Sequence, residues 1–250
     1  MKRIQLLLCL ILFVCTNTYS QTDKIKQANG LYAKGKFQLA AKQYEDILLN
    51  DGVSPVLFYN AGNAYYKSKE IGHSILNYER ALRLMPSFED ARYNLDLAQL
   101  KVVDNVVHAP TFFLMNWLSS FLKLLSSNQW LYISIFVFFL CLISAFVFVF
   151  GPSRAMRKFS FYLGLCFLGL SLSTLVFSGI RKDQLVNHDE AIVMSGIVTV
   201  KSSPDASGTD LFQLHEGTKV SIKSVLGKWT EIVLGNGSIG WIEQAHIEVI

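Results

Sequence analysis

Charged side chains are missing from two long stretches of this 250-residue chain. Residues 130–150 and 159–180 contain no Asp, Glu, Lys, Arg or His. Each stretch is long enough to cross a bilayer as a helix, which takes about 20 apolar residues. Neither carries the ionisable groups that ion- or proton-carrying helices use. The sequence therefore predicts two transmembrane helices that act as an anchor.

The first twenty residues are typical of a secretory signal peptide. Lys2 and Arg3 precede a largely apolar run, residues 4–15, which is too short to span a bilayer. Thr18 and Ser20 are small enough for the cleavage positions. We expect residues 1–20 to be removed, and an uncleaved N-terminal anchor is the alternative.

Cysteines are also scarce, and catalytic signatures are absent. Cys9 and Cys15 lie in the leader, while Cys141 and Cys166 lie in the apolar stretches, so no disulfide is expected in the exported parts. No two histidines have the spacing of a helix-borne metal site. We expect no catalytic residue, no metal and no cofactor. Without a basic cluster that carries aromatic residues, we also expect no nucleic-acid partner.

A short basic turn predicts the membrane topology. Residues 151–158 lie between the two apolar stretches and contain Arg154, Arg157 and Lys158. Cytoplasmic loops are enriched in such cations, so this turn is expected in the cytoplasm and both larger parts of the chain outside it. The predicted signal peptide agrees with that orientation.

Residues 105–128 are predicted to form an amphipathic helix. Phe113, Trp117, Phe121 and Leu124 recur at helical spacing. This stripe favours a helix lying in the membrane interface in contact with lipid. Packing on the repeats or on the membrane helices is an equally good interpretation.

Residues 21–101 repeat with a spacing of 34, which predicts stacked helical hairpins. Small or slim residues recur where two helices approach, and aromatic residues recur beside them. The pairs are Ala28 with Gly62, Ala40 with Ser74, Ile47 with Ala81, and Tyr44 with Tyr78. The two tyrosines are expected to fill the gap to the next hairpin, and Pro86 to end the second one. This pattern resembles the tetratricopeptide family, with a half-repeat after Pro86.

The resemblance implies a concave peptide-binding groove formed by the first helix of each repeat. The positions that correspond to the groove are Asn29, Asn60, Asn63, Tyr66, Lys67 and Asn94. An asparagine amide both donates to and accepts from an extended peptide backbone. Capture of a terminal carboxylate is not expected, because Ile25, Asp90 and Asn94 occupy the cationic positions. The alternative is that these asparagines are ordinary solvated residues.

The C-terminal residues 189–250 alternate short apolar runs with turn residues, which predicts a small β-barrel. The predicted strands are 191–194, 197–201, 219–225, 229–234, 238–242 and 247–250. The series resembles the bacterial SH3-like domain, whose relatives include binders of cell-wall peptides. Trp229 and Trp241 are either core residues or a ligand face.

The predicted architecture combines all-α tetratricopeptide repeats, two transmembrane helices and an all-β SH3-like domain. This order resembles the BatE-like family of bacterial aerotolerance operons. The resemblance implies a multi-pass inner-membrane protein with periplasmic N- and C-terminal domains. It also implies Bat-type membrane partners with von Willebrand A domains, a MoxR-type ATPase as a further partner, and stress tolerance. We therefore expect a non-enzymatic scaffold; the alternative is a tether or sensor that binds peptidoglycan through the SH3-like domain.

Overall fold

The computed structural model describes residues 23–104, 113–187 and 189–250. The predicted leader and residues 105–112 of the predicted amphipathic helix lie outside these ranges. The described chain forms two compact units. One unit contains the N-terminal helices and the C-terminal strands, and the other contains the amphipathic helix and the two long apolar helices.

The N-terminal part of the first unit consists of two helical hairpins and one additional helix. Its helices are α1 (residues 23–33), α2 (Phe37–Asn50), α3 (Pro55–Ser68), α4 (Ile71–Leu84) and α5 (Glu89–Gln99). Pro55 occupies the first turn of α3, where a missing N–H is tolerated. Helix α4 ends at Leu84, two residues before Pro86, as the sequence predicted.

Close packing within the second hairpin depends on Gly62. A Cβ atom at this position would lie only 2.7 Å from the ring of Tyr78, and the Ser74 hydroxyl donates to the Gly62 carbonyl at 3.0 Å. The small residues therefore have their predicted role. The ring of Tyr78 packs on α3 of its own hairpin, because the missing Cβ of Gly62 leaves space there. Tyr78 also belongs to the same apolar cluster as Ala91 and Leu95 of α5, the next helix of the array.

The C-terminal residues form one antiparallel sheet of seven strands. The strands are β1 (Glu190–Val193), β2 (Ile197–Lys201), β3 (Asp210–His215), β4 (Lys219–Leu226), β5 (Trp229–Val233), β6 (Ile239–Glu243) and β7 (Ile247–Val249). Their order is β3-β2-β6-β5-β4-β1-β7. We call this part the sheet domain. Its core contains Val193, Val200, Ile232 and Ile242, all fully buried.

Two predictions about the sheet domain need correction. Strand β3 was missed, because Asp210–His215 lacks the alternation of apolar and polar residues that marked the other strands. The predicted barrel is not closed: β3 and β7 are the two ends of the sheet and do not pair with each other. Outer strand β7 instead packs against α4, as described below.

The second unit contains α6 (Phe113–Lys123), α7 (Ser127–Phe150) and α8 (Arg154–Val186). Helices α7 and α8 are long and apolar enough to cross a membrane. Ser126 begins α7 with a reciprocal capping box to Gln129. The connection between α7 and α8 is shorter than predicted, because α8 already begins at Arg154 and includes the three cations.

Serine pairs join α7 to α8. Ser134 and Ser171 each donate to the other's carbonyl, at 2.9 and 3.1 Å, and Ser127 and Ser178 do the same at 3.0 and 2.9 Å. Such bonds between helices satisfy hydroxyl groups that have no water partner in a membrane. Serine hydrogen bonds therefore join α7 and α8, two helices that are otherwise largely apolar.

Helix α6 packs against this hairpin at one end. The ring of Phe121 lies 5.5 Å from that of Trp130 and 6.1 Å from that of Phe177, and Leu122 is buried. Phe113 and Trp117 remain exposed. The predicted packing of this helix on the two long apolar helices is thus present at Phe121 and Leu122.

Candidate protein-binding groove

The repeat reproduces one hydrogen bond in both hairpins. The hydroxyl of Tyr44 donates to Asn29 Oδ1 at 2.6 Å, and that of Tyr78 donates to Asn63 Oδ1 at 2.7 Å. Burial raises the pKa of both tyrosines, so each phenol stays a neutral donor near neutral pH. Asn29 and Asn63 therefore have a structural function within their own hairpins.

Asn94 connects the second hairpin to α5. Its amide Nδ2 lies 2.8 Å from Asn63 Oδ1 and 3.3 Å from the hydroxyl of Tyr59. The ring of Tyr59 also packs 5.0 Å from that of Phe88. Asn63 thus accepts two hydrogen bonds, one from α4 and one from α5, and orders the helices on both sides of it.

The remaining predicted groove residues are more available to a ligand. Asn60 is half-buried and Lys67 is exposed, and neither side chain makes a hydrogen bond within the described part of the chain. The ammonium group of Lys101 lies 5.7 Å from the ring centre of the half-buried Tyr66. Because residues 60 and 67 are separated by two helical turns, their side chains lie on one face of α3. This face of α3 combines the amide of Asn60 with the cation of Lys67.

The sheet domain packs directly on the repeats. Ile192, Met194 and Ile250 join the apolar cluster formed by Ile75, Leu76 and other residues of the helical part. At Gly217, a Cβ atom would lie 2.9 Å from a methyl group of Val102 and 3.0 Å from one of Ile75. Gly217 also has φ of +88°, a conformation that favours glycine. The tight approach therefore depends on this glycine.

Charged groups surround the apolar contact. Arg80 pairs with Glu248 at 3.0 Å and donates to the Val249 carbonyl at 2.7 Å, while Arg83 donates to the carbonyl of Ile250. Helix α4 thereby supplies donors to carbonyls at the outer strand of the sheet. This interaction explains how an end of the open sheet is covered.

Lys219 joins carboxylates from both parts. Its ammonium group lies 3.1 Å from Glu79 of α4 and 2.8 Å from Glu190 of β1. Burial alone would lower the pKa of Lys219, but the two carboxylates outweigh it and hold this pKa above its usual value. Lys219 therefore remains charged and neutralises Glu79, which is largely buried.

Asp104 fixes the end of the helical part to the sheet domain. Its carboxylate accepts from the His215 backbone N–H at 2.7 Å and from the Thr218 hydroxyl at 2.6 Å, and it lies 2.7 Å from His215 Nδ1. Burial would raise the pKa of Asp104, but these donors together with His215 hold it below its usual value. A carboxylate with three donors is a strong local constraint.

The tryptophans of the sheet domain differ in exposure. Trp229 is only 6% exposed, whereas Trp241 is half-buried. The ammonium group of Lys228 lies 5.8 Å from the Trp229 ring centre. Trp241 therefore has the larger accessible surface for a ligand. Within the described ranges, no group of three or more His, Cys, Asp or Glu residues is arranged to hold a metal ion.

The residues that join the sheet domain to the repeats were not predicted from the sequence. Arg80, Glu79 and Lys219 appear there as ordinary charged residues on a helix and a strand. Pairs that are more than a hundred residues apart leave no periodic signal in a single sequence.

Comparison with protein families supports the repeat assignment. A family model described as a TPR repeat matches residues 62–102, which include the second half of α3, all of α4 and all of α5. Residues 62–102 therefore resemble a tetratricopeptide repeat, a type of structure associated with binding other proteins. No curated protein matches the chain.

Proposed function

We propose that this chain is a non-enzymatic, membrane-anchored scaffold that binds a segment of a partner protein in the groove of its repeats. The observation that carries the proposal is the face of α3 that contains Asn60 and Lys67. Neither side chain makes a hydrogen bond within the described ranges. The neighbouring asparagines are already used to hold the helices together. The groove is thus preorganised, and its unused polar groups are at the surface.

The groove residues favour an extended peptide. The Asn60 amide can donate to and accept from a main chain without regard to its side chains. Lys101 adds positive charge beside Tyr66, and the exposed Lys67 adds a second cation on α3. A segment with acidic side chains fits this chemistry better than one with a free C-terminus alone, because the cationic positions for clasping a terminal carboxylate hold Ile25, Asp90 and Asn94.

Packing of the sheet domain on α4 supports one feature of the proposed topology. Two parts that share an apolar cluster must lie on the same side of a membrane. The segment between them contains two helices that are long enough to cross it, and two crossings return the chain to its starting side. The basic first turn of α8 would lie in the cytoplasm, so we place the repeats and the sheet domain in the periplasm.

The proposed partners follow from the order of the domains along the chain. A repeat region, an amphipathic helix, an apolar hairpin and a sheet domain occur in the order of the BatE-like family. We therefore propose a complex with Bat-type proteins that carry von Willebrand A domains, with a MoxR-type ATPase as a cytoplasmic partner. A role in stress tolerance at the inner membrane would follow from that complex.

The test is affinity capture from solubilised native membranes after in-cell crosslinking. The intact chain is compared with an Asn60→Ala/Lys67→Ala variant and with a control, Lys42→Ala, which changes an exposed cation on α2. We expect a defined set of membrane proteins with the intact chain and the control, and its loss with the double variant. Recovery of the same proteins with the folded double variant would refute the groove assignment.

A further inference from the structure

The buried face of α8 ends in a cation. Ser171, Thr174, Ser178 and Arg181 are all buried, and they are spaced by three or four residues, so they lie on one face of the helix. The first three are small hydroxyl residues whose oxygens donate to backbone carbonyls. Arg181 is the exception in this series, because it places a full charge at a position that is only 5% exposed. The proposed scaffold function does not use it.

The guanidinium of Arg181 lacks the partners that a buried cation requires. An arginine side chain has five N–H donors. The Nη1 atom donates to the side-chain oxygen of Gln184 at 2.6 Å, while the Nε atom is buried and has no hydrogen-bond partner among the described residues. Burying a charge without a counter-ion and with unsatisfied donors is costly. The geometry therefore calls for an anion beside Arg181.

The surrounding part of the chain has no carboxylate to offer. Residues 105–187 contain a single acidic residue, Asp183. Two residues along a helix correspond to a rotation of about 200°, so Asp183 lies on a different side of α8 from Arg181. Asp183 is exposed, and its carboxylate accepts from Asn187 Nδ2 at 2.8 Å. The counter-ion of Arg181 must therefore come from outside this segment.

Arg181 lies where the apolar hairpin would meet the membrane surface. It is the first charged residue after the uncharged stretch 159–180. One turn earlier, the ring of Phe177 lies 5.2 Å from that of Trp130 on α7 and 6.1 Å from that of Phe121 on α6. Aromatic residues at the end of a membrane helix are typical of the interface, at the level of the lipid headgroups. Phospholipid phosphate is the abundant anion at that level.

The neighbourhood of Arg181 allows an anion to reach it. Gln184 is exposed, so its bond to the guanidinium lies at the surface. The first turn of α7 lies at this end of the hairpin, because Ser127 and Ser178 exchange hydrogen bonds. The backbone dipoles of a helix N-terminus favour negative charge. An anion that displaces the Gln184 amide reaches the guanidinium without separating the helices.

We propose that Arg181 binds the phosphate group of a phospholipid headgroup at the end of the hairpin formed by α7 and α8. A guanidinium forms two parallel hydrogen bonds to phosphate oxygens, which an ammonium group does not. The lipid is the source of the phosphate because the uncharged stretch ends at Arg181, at the level of the headgroups. The inference rests on the proposed membrane anchoring, and it assigns a lipid site that is independent of the groove.

The experiment measures lipid binding by the full-length protein in a non-ionic detergent and a phosphate-free buffer. Dioctanoyl phosphatidylglycerol is added, and native mass spectrometry counts the molecules that remain bound. The matched control is Lys182→Gln, which removes the exposed cation next to Arg181. We expect the original chain and this control to retain one phospholipid, and Arg181→Gln to bind it about tenfold more weakly, because a charge-assisted hydrogen bond is lost. Equal binding by Arg181→Gln and the original chain would overturn the proposal.

A second variant separates loss of binding from loss of folding. Arg181→Lys keeps the charge and removes the planar fork, so its affinity should fall between those of the original chain and Arg181→Gln. Circular dichroism should show the same helical content in all of these chains. If Arg181→Gln does not fold, Arg181→Lys decides the matter, and an unchanged affinity in that variant would contradict the bidentate contact.

Two further ligands identify what is recognised. Dioctanoylglycerol has the same acyl chains without phosphate, and inorganic phosphate has no acyl chains. We expect neither to match the phospholipid. Equal binding of dioctanoylglycerol would mean that the acyl chains alone are bound, and equal binding of inorganic phosphate would mean that the site takes a free anion. Either result would overturn the assignment to a lipid headgroup.

Failure of this inference is distinguishable from failure of the proposed function. The Asn60→Ala/Lys67→Ala variant should bind the phospholipid as the original chain does, whatever its effect on partner capture. Washing native membranes with alkaline carbonate tests the anchoring separately. Release of the original chain by this wash would refute the membrane anchor. Retention of the chain, together with unchanged lipid binding by Arg181→Gln, would refute the phosphate site alone.

Discussion

Asp104 lies 2.7 Å from both the backbone nitrogen and the ring Nδ1 of His215, a residue 111 positions later in the chain. The pair joins the end of the helical part to β3. In the sequence, helices α6, α7 and α8 lie between these two residues. Together with the Lys219 contacts, it makes the repeats and the sheet domain one assembled part of the protein.

Asp104→Asn should destabilise this assembled part by about 2 kcal/mol at pH 7. The amide removes a charge and directs an N–H donor toward the donors of His215 and Thr218. Because the pKa of Asp104 is lowered in the folded state, its contribution is complete above the usual value near 4 and is lost as the pH falls through the folded-state pKa. Thermal unfolding of the purified protein should therefore show a difference between the two chains at pH 7 that shrinks below about pH 4. Equal unfolding temperatures at pH 7 would contradict the role of Asp104.

Lys219→Met should cost about 2 kcal/mol, because Glu79 would keep a largely buried charge without its cation. Lys223→Met is the matched control: its partner Glu231 lies at a similar distance of 3.1 Å, but Lys223 is more exposed. The control should cost less than about 1 kcal/mol. Chemical denaturation of both variants measures the difference, and equal losses would argue against a special role for Lys219.

Asn63→Ala and Asn60→Ala should separate stability from binding. Asn63 accepts from Tyr78 and Asn94, so its loss should destabilise the repeats by about 2 kcal/mol and leave two buried or half-buried donors unpaired. Asn60→Ala should leave stability nearly unchanged and reduce partner capture. Unfolding curves and capture yields for the two variants provide the comparison. A stability loss in Asn60→Ala as large as that in Asn63→Ala would mean that Asn60 is structural too.

Ser171→Leu should disrupt the hairpin of α7 and α8. Ser171 is buried and exchanges hydrogen bonds with Ser134, so a larger apolar side chain would separate the two helices. Ser173→Leu is the control, because Ser173 is exposed and donates only to the Gly169 carbonyl of its own helix. Protease resistance of the hairpin in bilayers should fall for the first variant and not for the second.

The local parts of the fold were predictable because short spacings determine them. The 34-residue repeat identified the hairpins, and the contact of Gly62 with Tyr78 shows why a small residue recurs there. The two apolar helices followed from the absence of charge. Strand β3 was missed because Asp210–His215 has no clear alternation, and its pairing with β2 depends on tertiary context.

The candidate site was only partly predictable for the same reason. Resemblance located the asparagines, but only the structure distinguishes Asn63, whose carbonyl is occupied, from Asn60, whose amide is available. The docking of the sheet domain depends on charge pairs such as Arg80 with Glu248, separated by 168 residues. A single sequence contains no signal that links such distant positions.

The most direct test of the assembled repeats and sheet domain is a disulfide between Gly72→Cys and Glu216→Cys. A Cβ atom at position 72 would lie 2.8 Å from Glu216 Cγ, which brings the two new Cβ atoms close to disulfide range. Among the described residues, the native cysteines Cys141 and Cys166 lie only in α7 and α8. Mild oxidation of the full-length protein in membranes should give a monomer with an intramolecular crosslink and faster migration without reductant. If this crosslink does not form, while each single-cysteine variant still reacts with a small thiol reagent, the repeats and the sheet domain are not packed together as described.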